Sequence, residues 1–163
     1  MAFRSEILIK LDKKGRVLLP AAFRDELPAD DRGAFVLYHS PNLTGVVNGN
    51  SRAGFDLMLE RLRAEALGPK GSLKVALDDE AFDPAGYLSA GARTISLEPD
   101  GRFSMPAEFV EALDAADGVM LVGKVEKFQL WNPARWQARR AAEREKMAAF
   151  VRNLSAGDVG GDA

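Results

Sequence analysis

The sequence predicts an α+β protein that is mostly β and ends in a C-terminal helix. Three observations lead to this fold class: a strand-turn-strand unit occurs twice, the strand segments are rich in apolar and β-branched residues, and residues 133–153 have a helical pattern. The chain of 163 residues is long enough for one domain, or for two small ones that share a core.

An internal repeat is the strongest feature of the sequence. Residues 11–24 read LDKKGRVLLPAAFR, and residues 97–110 read LEPDGRFSMPAEFV. Leu, Gly, Arg, Pro, Ala and Phe are identical at six of the 14 aligned positions, and an apolar run follows each copy at 33–38 and at 118–122. The same order occurring twice indicates a tandem duplication.

Each copy is predicted to form a strand, a tight turn, a second strand, a short helix and a third strand. Segments 7–11 and 93–97 have the apolar and β-branched residues that strands prefer. An acid begins each turn and can accept backbone N–H groups, and a glycine follows that can take a positive φ. Pro20 and Pro106 suit the first position of a short helix. The residues predicted to shape the turns are Asp12, Gly15, Glu98, Gly101 and Arg102.

Helical patterns account for most of the remaining chain. An amphipathic helix is predicted over about 54–67, ended by the Gly-Pro-Lys-Gly segment at 68–71. A short helix is predicted within 78–92, and residues 127–131 alternate as a strand does. Asn132 and Pro133 then suit the N-cap and first position of the C-terminal helix.

The duplication suggests a division into two modules and a tail. We predict a first module at 1–74, a second module with the C-terminal helix at 75–154, and a disordered, Gly-rich tail at 155–163. The tandem arrangement favours pairing of the two copies within one chain.

The charge is unevenly distributed, although the net charge is only −2. Residues 1–24 hold six basic and two acidic residues, and residues 25–100 hold seven basic and thirteen acidic residues. A nucleic-acid-binding protein needs a basic face and not a basic total. The N-terminal segment is therefore the place to look for such a face.

The composition argues against an enzyme. The chain has no cysteine and a single histidine, His39, and it lacks a phosphate-binding loop or a nucleophile motif. No apolar stretch has the length of a membrane span, and no signal-peptide pattern is present. We expect a cytoplasmic protein without metal or other cofactor, membrane contact or small-molecule substrate.

Two segments resemble the signatures of the MraZ family of transcriptional regulators. The first is the turn at 12–16 with Pro20 and Phe23-Arg24, and the second is the run 122–133 with Trp136 after it. The resemblance covers residues 3 to about 140. It implies two AbrB-like swapped-hairpin modules that form a pseudo-two-fold barrel, and ring-shaped homo-oligomers. It further implies a nucleoid-associated protein that binds double-stranded DNA at repeated elements upstream of its own cell-division and cell-wall operon, usually as a repressor.

The charges of the two turns predict different roles for them. The first turn has Lys13, Lys14 and Arg16 against one acid, whereas the second has Arg102 against two acids. Phosphates attract the first turn and repel the second, so copy one is predicted to bind DNA and copy two to be architectural. Arg16 would contact a base edge or a critical phosphate. The predicted DNA-binding residues are Arg16, Lys14, Lys13, Lys10, Arg4 and Arg24.

Other interpretations remain open at this stage. Both turns could be ordinary hairpins with solvated charges, and Arg16 or Arg102 could form an ion pair with a turn acid. Phe128, Trp131 and Trp136 are expected in the core and not as platforms for bases. An antitoxin-like or protein-interaction module of the AbrB-like class is the alternative function.

One hairpin offers roughly three phosphate contacts, whereas a specific DNA-binding protein makes about 6–10. Several protomers must therefore bind together, with the gain that effective concentration provides. A homo-oligomer is expected on this physical ground as well.

Overall fold

The computed structural model describes residues 2–29 and 33–161, and the chain falls into two units, Met1–Asn132 and Pro133–Ala163. The strands of the first unit are β1 (Glu6–Lys10), β2 (Arg16–Leu18), β3 (Phe35–His39), β4 (Val47–Ser51), β5 (Arg93–Ile95), β6 (Arg102–Ser104), β7 (Gly118–Lys124) and β8 (Lys127–Trp131). Its helices are α1 (Ala21–Arg24), α2 (Arg52–Leu67), α3 (Gly71–Leu77), α4 (Pro84–Gly91) and α5 (Ala107–Leu113). The second unit is the helix α6 (Pro133–Gly161).

The predicted α+β class is confirmed, with an antiparallel sheet and a C-terminal helix, although helices hold more of the described residues than strands do. Six strands form one sheet in the order β1-β7-β8-β4-β3-β5, and β2 pairs with β6 in a separate two-stranded ribbon. The predicted closed barrel is not found in the described residues, because β1 and β5 are edges of the sheet. The three-residue strands β2 and β6 pair with each other, and an isolated bridge between Val17 of β2 and Leu11 connects this ribbon to the end of β1. The swapped-hairpin assignment stays a prediction.

The two copies of the repeat are interleaved within the chain. β1 pairs with β7, β4 with β8, β3 with β5, and β2 with β6, so each of these ladders joins a strand of the first half to a strand of the second. The core is consequently shared between the copies.

Aromatic side chains fill the centre of this core. Phe128 lies 5.1 Å from Phe3, 5.9 Å from Phe23 and 5.7 Å from Phe35 between ring centroids, all in edge-to-face or similarly inclined arrangements. Such pairs stabilise a core beyond the burial of their area. The predicted burial of Phe128, Trp131 and Trp136 is confirmed. Phe23 and Leu27, and their counterparts Phe109 and Leu113 in the second copy, are buried as well.

The helices between the copies differ from the prediction in their limits. α2 is confirmed, and it begins after Ser51, whose Oγ accepts the N–H of Gly54 at 3.0 Å. The Gly-Pro-Lys-Gly segment ends α2 as predicted, but α3 begins at once at Gly71, which the sequence had placed in the break. The short helix predicted within 78–92 is α4, which begins with Pro84 at its first position.

The C-terminal helix is longer than the predicted 133–153. α6 continues to Gly161 and so includes 155–161, where the composition predicted disorder. Extending an existing helix costs far less than starting one, since each added residue gains one hydrogen bond. Residues 162 and 163 lie outside the described residues. No helix in the described part of the chain is both long and apolar enough to cross a membrane.

A buried tyrosine makes the fold less stable at alkaline pH. The O–H of Tyr38 donates to Asn50 Oδ1 at 2.8 Å, and burial raises the pKa of Tyr38 to about 12. Between pH 10 and 12 the unfolded chain loses this proton while the folded chain keeps it, so the free energy of unfolding falls as the pH rises. The loss amounts to about 2–3 kcal/mol at pH 12.

We expect urea unfolding between pH 9.5 and 11.5 to show this decline in the wild type and a smaller one in Tyr38→Phe. The other ionisable groups titrate in both proteins and cancel in the comparison. Parallel declines would show that Tyr38 ionises as readily in the folded chain as in the unfolded one.

Candidate nucleic-acid interface

The two Gly-Arg turns lie on either side of the β2–β6 ribbon. The N–H of Met105 donates to the carbonyl oxygen of Gly15 at 2.9 Å, and the N–H of Leu19 donates to that of Gly101 at 3.0 Å. Both pairs occupy equivalent positions of the repeat, so the two bonds are related by a local pseudo-two-fold axis. Each turn is therefore held by the second strand of the other copy.

The first turn is shaped by Asp12. Its Oδ1 accepts the N–H groups of Lys14 and Arg16, both at 2.8 Å, and Gly15 has a φ of 78°. The N–H of Arg16 is the main reason that the pKa of the Asp12 carboxyl lies below its ordinary value; desolvation opposes this shift, and the N–H of Lys14 adds to it. Asp12 is thus ionised at neutral pH, and its Oδ1 is used by hydrogen bonds within its own turn. The side chains of Lys13 and Lys14 are exposed.

The second turn has the same backbone but a different carboxylate arrangement. Gly101 has a φ of 89°, and Oδ1 of Asp100 accepts the N–H of Arg102 at 3.1 Å, the role that Asp12 has in the first turn. Arg102 Nε also lies 3.6 Å from Asp100 Oδ2, the ion pair with a turn acid that the sequence analysis considered. The longer side chain of Glu98 is therefore not needed within its own turn.

Glu98 instead connects the two turns. Arg16 Nη2 lies 2.5 Å from Glu98 Oε2, with the two side chains 34% and 47% exposed. An ion pair this accessible to solvent adds at most about 1 kcal/mol to stability. The partner acid comes from the other copy, 82 residues away, and not from the turn to which Arg16 belongs.

Arg24 lies beside the second turn and not beside the first. A Cβ on Gly101 would come within 2.6 Å of Arg24 Nη1, whereas Val110, the equivalent of Arg24 in the repeat, lies against Gly15. The first turn has Lys13, Lys14 and Arg16 against Asp12, and the second has Arg102 and the neighbouring Arg24 against Glu98 and Asp100. The first turn is still the more positive of the two. That it binds DNA while the second turn is architectural stays a prediction.

Lys10 and Arg4 are separated by β1. Lys10 lines a groove of about 510 Å³ together with Asp12, Arg16 and Arg102, so it belongs to the surface of the turns. Arg4 precedes the other end of β1, on the order of 20 Å from Lys10 at the rise of an extended strand. The sequence analysis missed the exposed apolar side chains Leu8 and Leu18, which also line this groove. Among the described residues, no group of acidic or histidine side chains is placed to hold a metal ion.

Comparison with known proteins gives the family. The transcriptional regulator MraZ of Azorhizobium caulinodans is 30% identical over 155 residues, which cover 95% of this chain and 92% of the relative. The chain belongs to the MraZ family. The MraZ proteins of a Nocardioides species (30% over 148 residues, 91% and 92% of the two chains) and of Mesomycoplasma hyopneumoniae (28% over 128 residues, 78% and 77%) are also similar, and both carry the same name.

The MraZ family model, described as "MraZ protein, putative antitoxin-like", matches residues 88–154. This range contains the second Gly-Arg turn and β7 to β8, followed by most of α6. The resemblance to MraZ that the sequence indicated is therefore confirmed, and it extends to the half of the chain with the more acidic turn.

Proposed function

We propose that this protein is a sequence-specific DNA-binding transcriptional regulator. In this proposal it acts in the cytoplasm at the nucleoid, and it represses its own cell-division and cell-wall operon through repeated upstream elements. The names of the MraZ relatives support regulation of transcription. The DNA-binding part of the proposal rests on the pair of Gly-Arg turns, which the ion pair between Arg16 and Glu98 connects and which both have cations beside them.

The first turn supplies contacts of two kinds in this proposal. Lys13 and Lys14 meet phosphates as flexible point charges, which give affinity without sequence preference. Arg16 is the first residue of β2, and its planar guanidinium suits a bidentate contact to a guanine edge. Nη2 of Arg16 contacts Glu98 and Nε is buried, so Nη1 is the nitrogen that can donate to DNA while the ion pair persists. A bidentate contact requires Nη2 to exchange Glu98 for DNA.

The second turn joins the same cationic surface. Arg24 and Arg102 add two cations next to Arg16, and Lys10 adds one from the groove. Asp12, Gly15, Glu98 and Gly101 act indirectly by holding the turns in shape. Six cations approach the lower limit of about 6–10 phosphate contacts for specific binding only if all of them reach the DNA. Several protomers on neighbouring repeats, in a homo-oligomeric ring, would exceed it.

The experiment is a gel-shift titration of the purified protein against its own upstream region at several salt concentrations. A tight and salt-sensitive shift that an unrelated DNA of equal length does not compete supports the proposal. No specific shift by the wild type at low salt would overturn it.

Removing the two lysines should lower the salt dependence of binding. We expect Lys13→Ala/Lys14→Ala to reduce the slope of log K against log [salt] by about 1.8 for each engaged protomer, because each lost phosphate contact contributes about 0.9. Arg52→Ala/Arg61→Ala removes the same charge from the exposed face of α2 and should leave the slope unchanged. A slope that both double variants change equally would mean that only net charge matters.

The description of the MraZ family model favours a second candidate, an antitoxin-like module that also binds a protein. A toxin reading frame beside the gene would support it, and cell-division genes downstream would oppose it. In the gel shift, an antitoxin would bind its own upstream DNA more tightly when the neighbouring protein is added.

A further inference from the structure

Two exposed apolar surfaces lie outside the proposed DNA site. We call the first the acidic patch. It contains Leu73 and Leu77 of α3 and Phe82 of the following loop, with side chains 64%, 78% and 74% exposed. The exposed acids Asp78, Asp79 and Glu80 lie between Leu77 and Phe82 in a turn that the N–H of Ala81 closes on the carbonyl oxygen of Asp78. With the positive charge of Lys74 set against these three acids, the patch has a net charge of about −2 at neutral pH.

The second surface is the basic stripe on α6. Its apolar members have the spacing i, i+3, i+4, i+7, which places them on one face of a helix. They are 49–61% exposed: Met147, Phe150, Val151 and Leu154. Four charged residues surround the N-terminal end of this stripe and sum to about +2: Arg140, Glu143, Arg144 and Lys146.

The two surfaces match in size and oppose each other in charge. With about 100 Å² for each apolar side chain, each presents roughly 200 Å² of apolar surface, which approaches the few hundred Å² that mark interaction sites on soluble proteins. A stable interface buries about 800 Å² per partner, of which a little over half is apolar. The patch and the stripe would thus supply about half of the apolar part of one such interface, and the surrounding charges would supply its rim.

We propose that the acidic patch of one copy binds the basic stripe of the next copy. This inference rests on the homo-oligomer of the proposed function and assigns its contact surfaces. Pairing two stripes with each other would bring Arg144 and Lys146 of both copies into one interface, where like charges repel. Pairing the stripe with the acidic patch brings opposite charges together instead. A contact between two different surfaces is heterologous, and such contacts close into a ring when the rotation per copy permits.

Light scattering of the full-length chain without DNA tests this inference. Met147→Ser/Phe150→Ser breaks the stripe, and Leu77→Ser/Phe82→Ser breaks the patch, in side chains that are exposed and contribute little to folding. We expect each variant alone to have the monomer mass of 17.7 kDa. An equimolar mixture should give particles of twice that mass, because the intact stripe of one variant meets the intact patch of the other. Leu57→Ser, which removes an apolar side chain 46% exposed on α2, should assemble as the wild type does.

Three results would overturn the inference: a monomeric wild type, a stripe variant or patch variant that still assembles on its own, or a mixture of the two variants that stays monomeric. If only the stripe variant is monomeric, α6 pairs with α6. A wild type that assembles as expected but does not shift its upstream DNA would contradict the proposed function and leave this interface standing.

Discussion

Replacing Arg16 with alanine should weaken binding to the upstream DNA about tenfold to a hundredfold for each engaged protomer. A bidentate arginine–base contact contributes about 1–3 kcal/mol of discrimination, and every 1.4 kcal/mol is a factor of ten. The loss should be largest on the specific sequence and small on unrelated DNA. Gel shifts on both DNAs at one salt concentration measure the difference.

The fold should survive this change. The ion pair of Arg16 with Glu98 is substantially exposed, so its loss should lower the free energy of unfolding by less than about 1 kcal/mol. An Arg16→Ala protein that melts like the wild type but binds the specific DNA poorly would separate recognition from folding. Unchanged binding would show that Arg16 is purely structural.

Glu98→Gln is the matched control for Arg16→Ala. It keeps the size of the side chain, removes a negative charge from the DNA-facing surface and weakens the hold on Arg16. We expect it to bind DNA several-fold more tightly than the wild type. Weaker binding by Glu98→Gln would mean that the ion pair is needed to orient Arg16 for its contact.

Local chemistry was enough to predict much of the fold. Gly15 and Gly101 each follow an acid by three residues. An acid and a glycine at this spacing are nearly all that a turn with a positive φ needs. The apolar spacing along α2 likewise depends only on neighbours within two turns. The duplication extended these inferences from one copy to the other.

Contacts between distant segments could not be predicted in this way. The position of Arg24 beside Gly101 follows from the pairing of β2 with β6, which joins residues far apart in sequence. The Arg16–Glu98 pair depends on the same ribbon and on one additional methylene at position 98. Summing the charges of each turn along the sequence consequently left Arg24 out of the second turn, beside which its side chain lies. Position 98 is a glutamate, whereas the equivalent residue of the first copy, Asp12, is an aspartate. This difference was visible in the sequence, and it indicated that the two carboxylates could have different partners.

Replacing Gly49 with alanine should lower the stability of the fold strongly. Gly49 of β4 lies opposite Phe128 of β8, and a Cβ there would come within 2.3 Å of the Phe128 ring atoms Cε2 and Cζ. The ring cannot turn away cheaply, because Phe3 and Phe23 pack against it with centroids 5.1 and 5.9 Å away. Overpacking of this kind costs about 1–3 kcal/mol, and more where the neighbours are fixed. We therefore expect a loss of about 3 kcal/mol in urea unfolding.

The control for this change is Gly91→Ala at the end of α4, where an added Cβ meets no atom within 4 Å. Alanine favours a helix over glycine by about 0.5–1 kcal/mol, so this variant should be as stable as the wild type or slightly more so.

The Gly49 variant should also lose DNA binding as it unfolds, because Phe23, in the same aromatic cluster, precedes Arg24 at the second turn. A Gly49→Ala protein within about 0.5 kcal/mol of the wild type would show that β4 and β8 can separate enough to admit a methyl group. In that case the aromatic cluster would be looser than its centroid distances indicate.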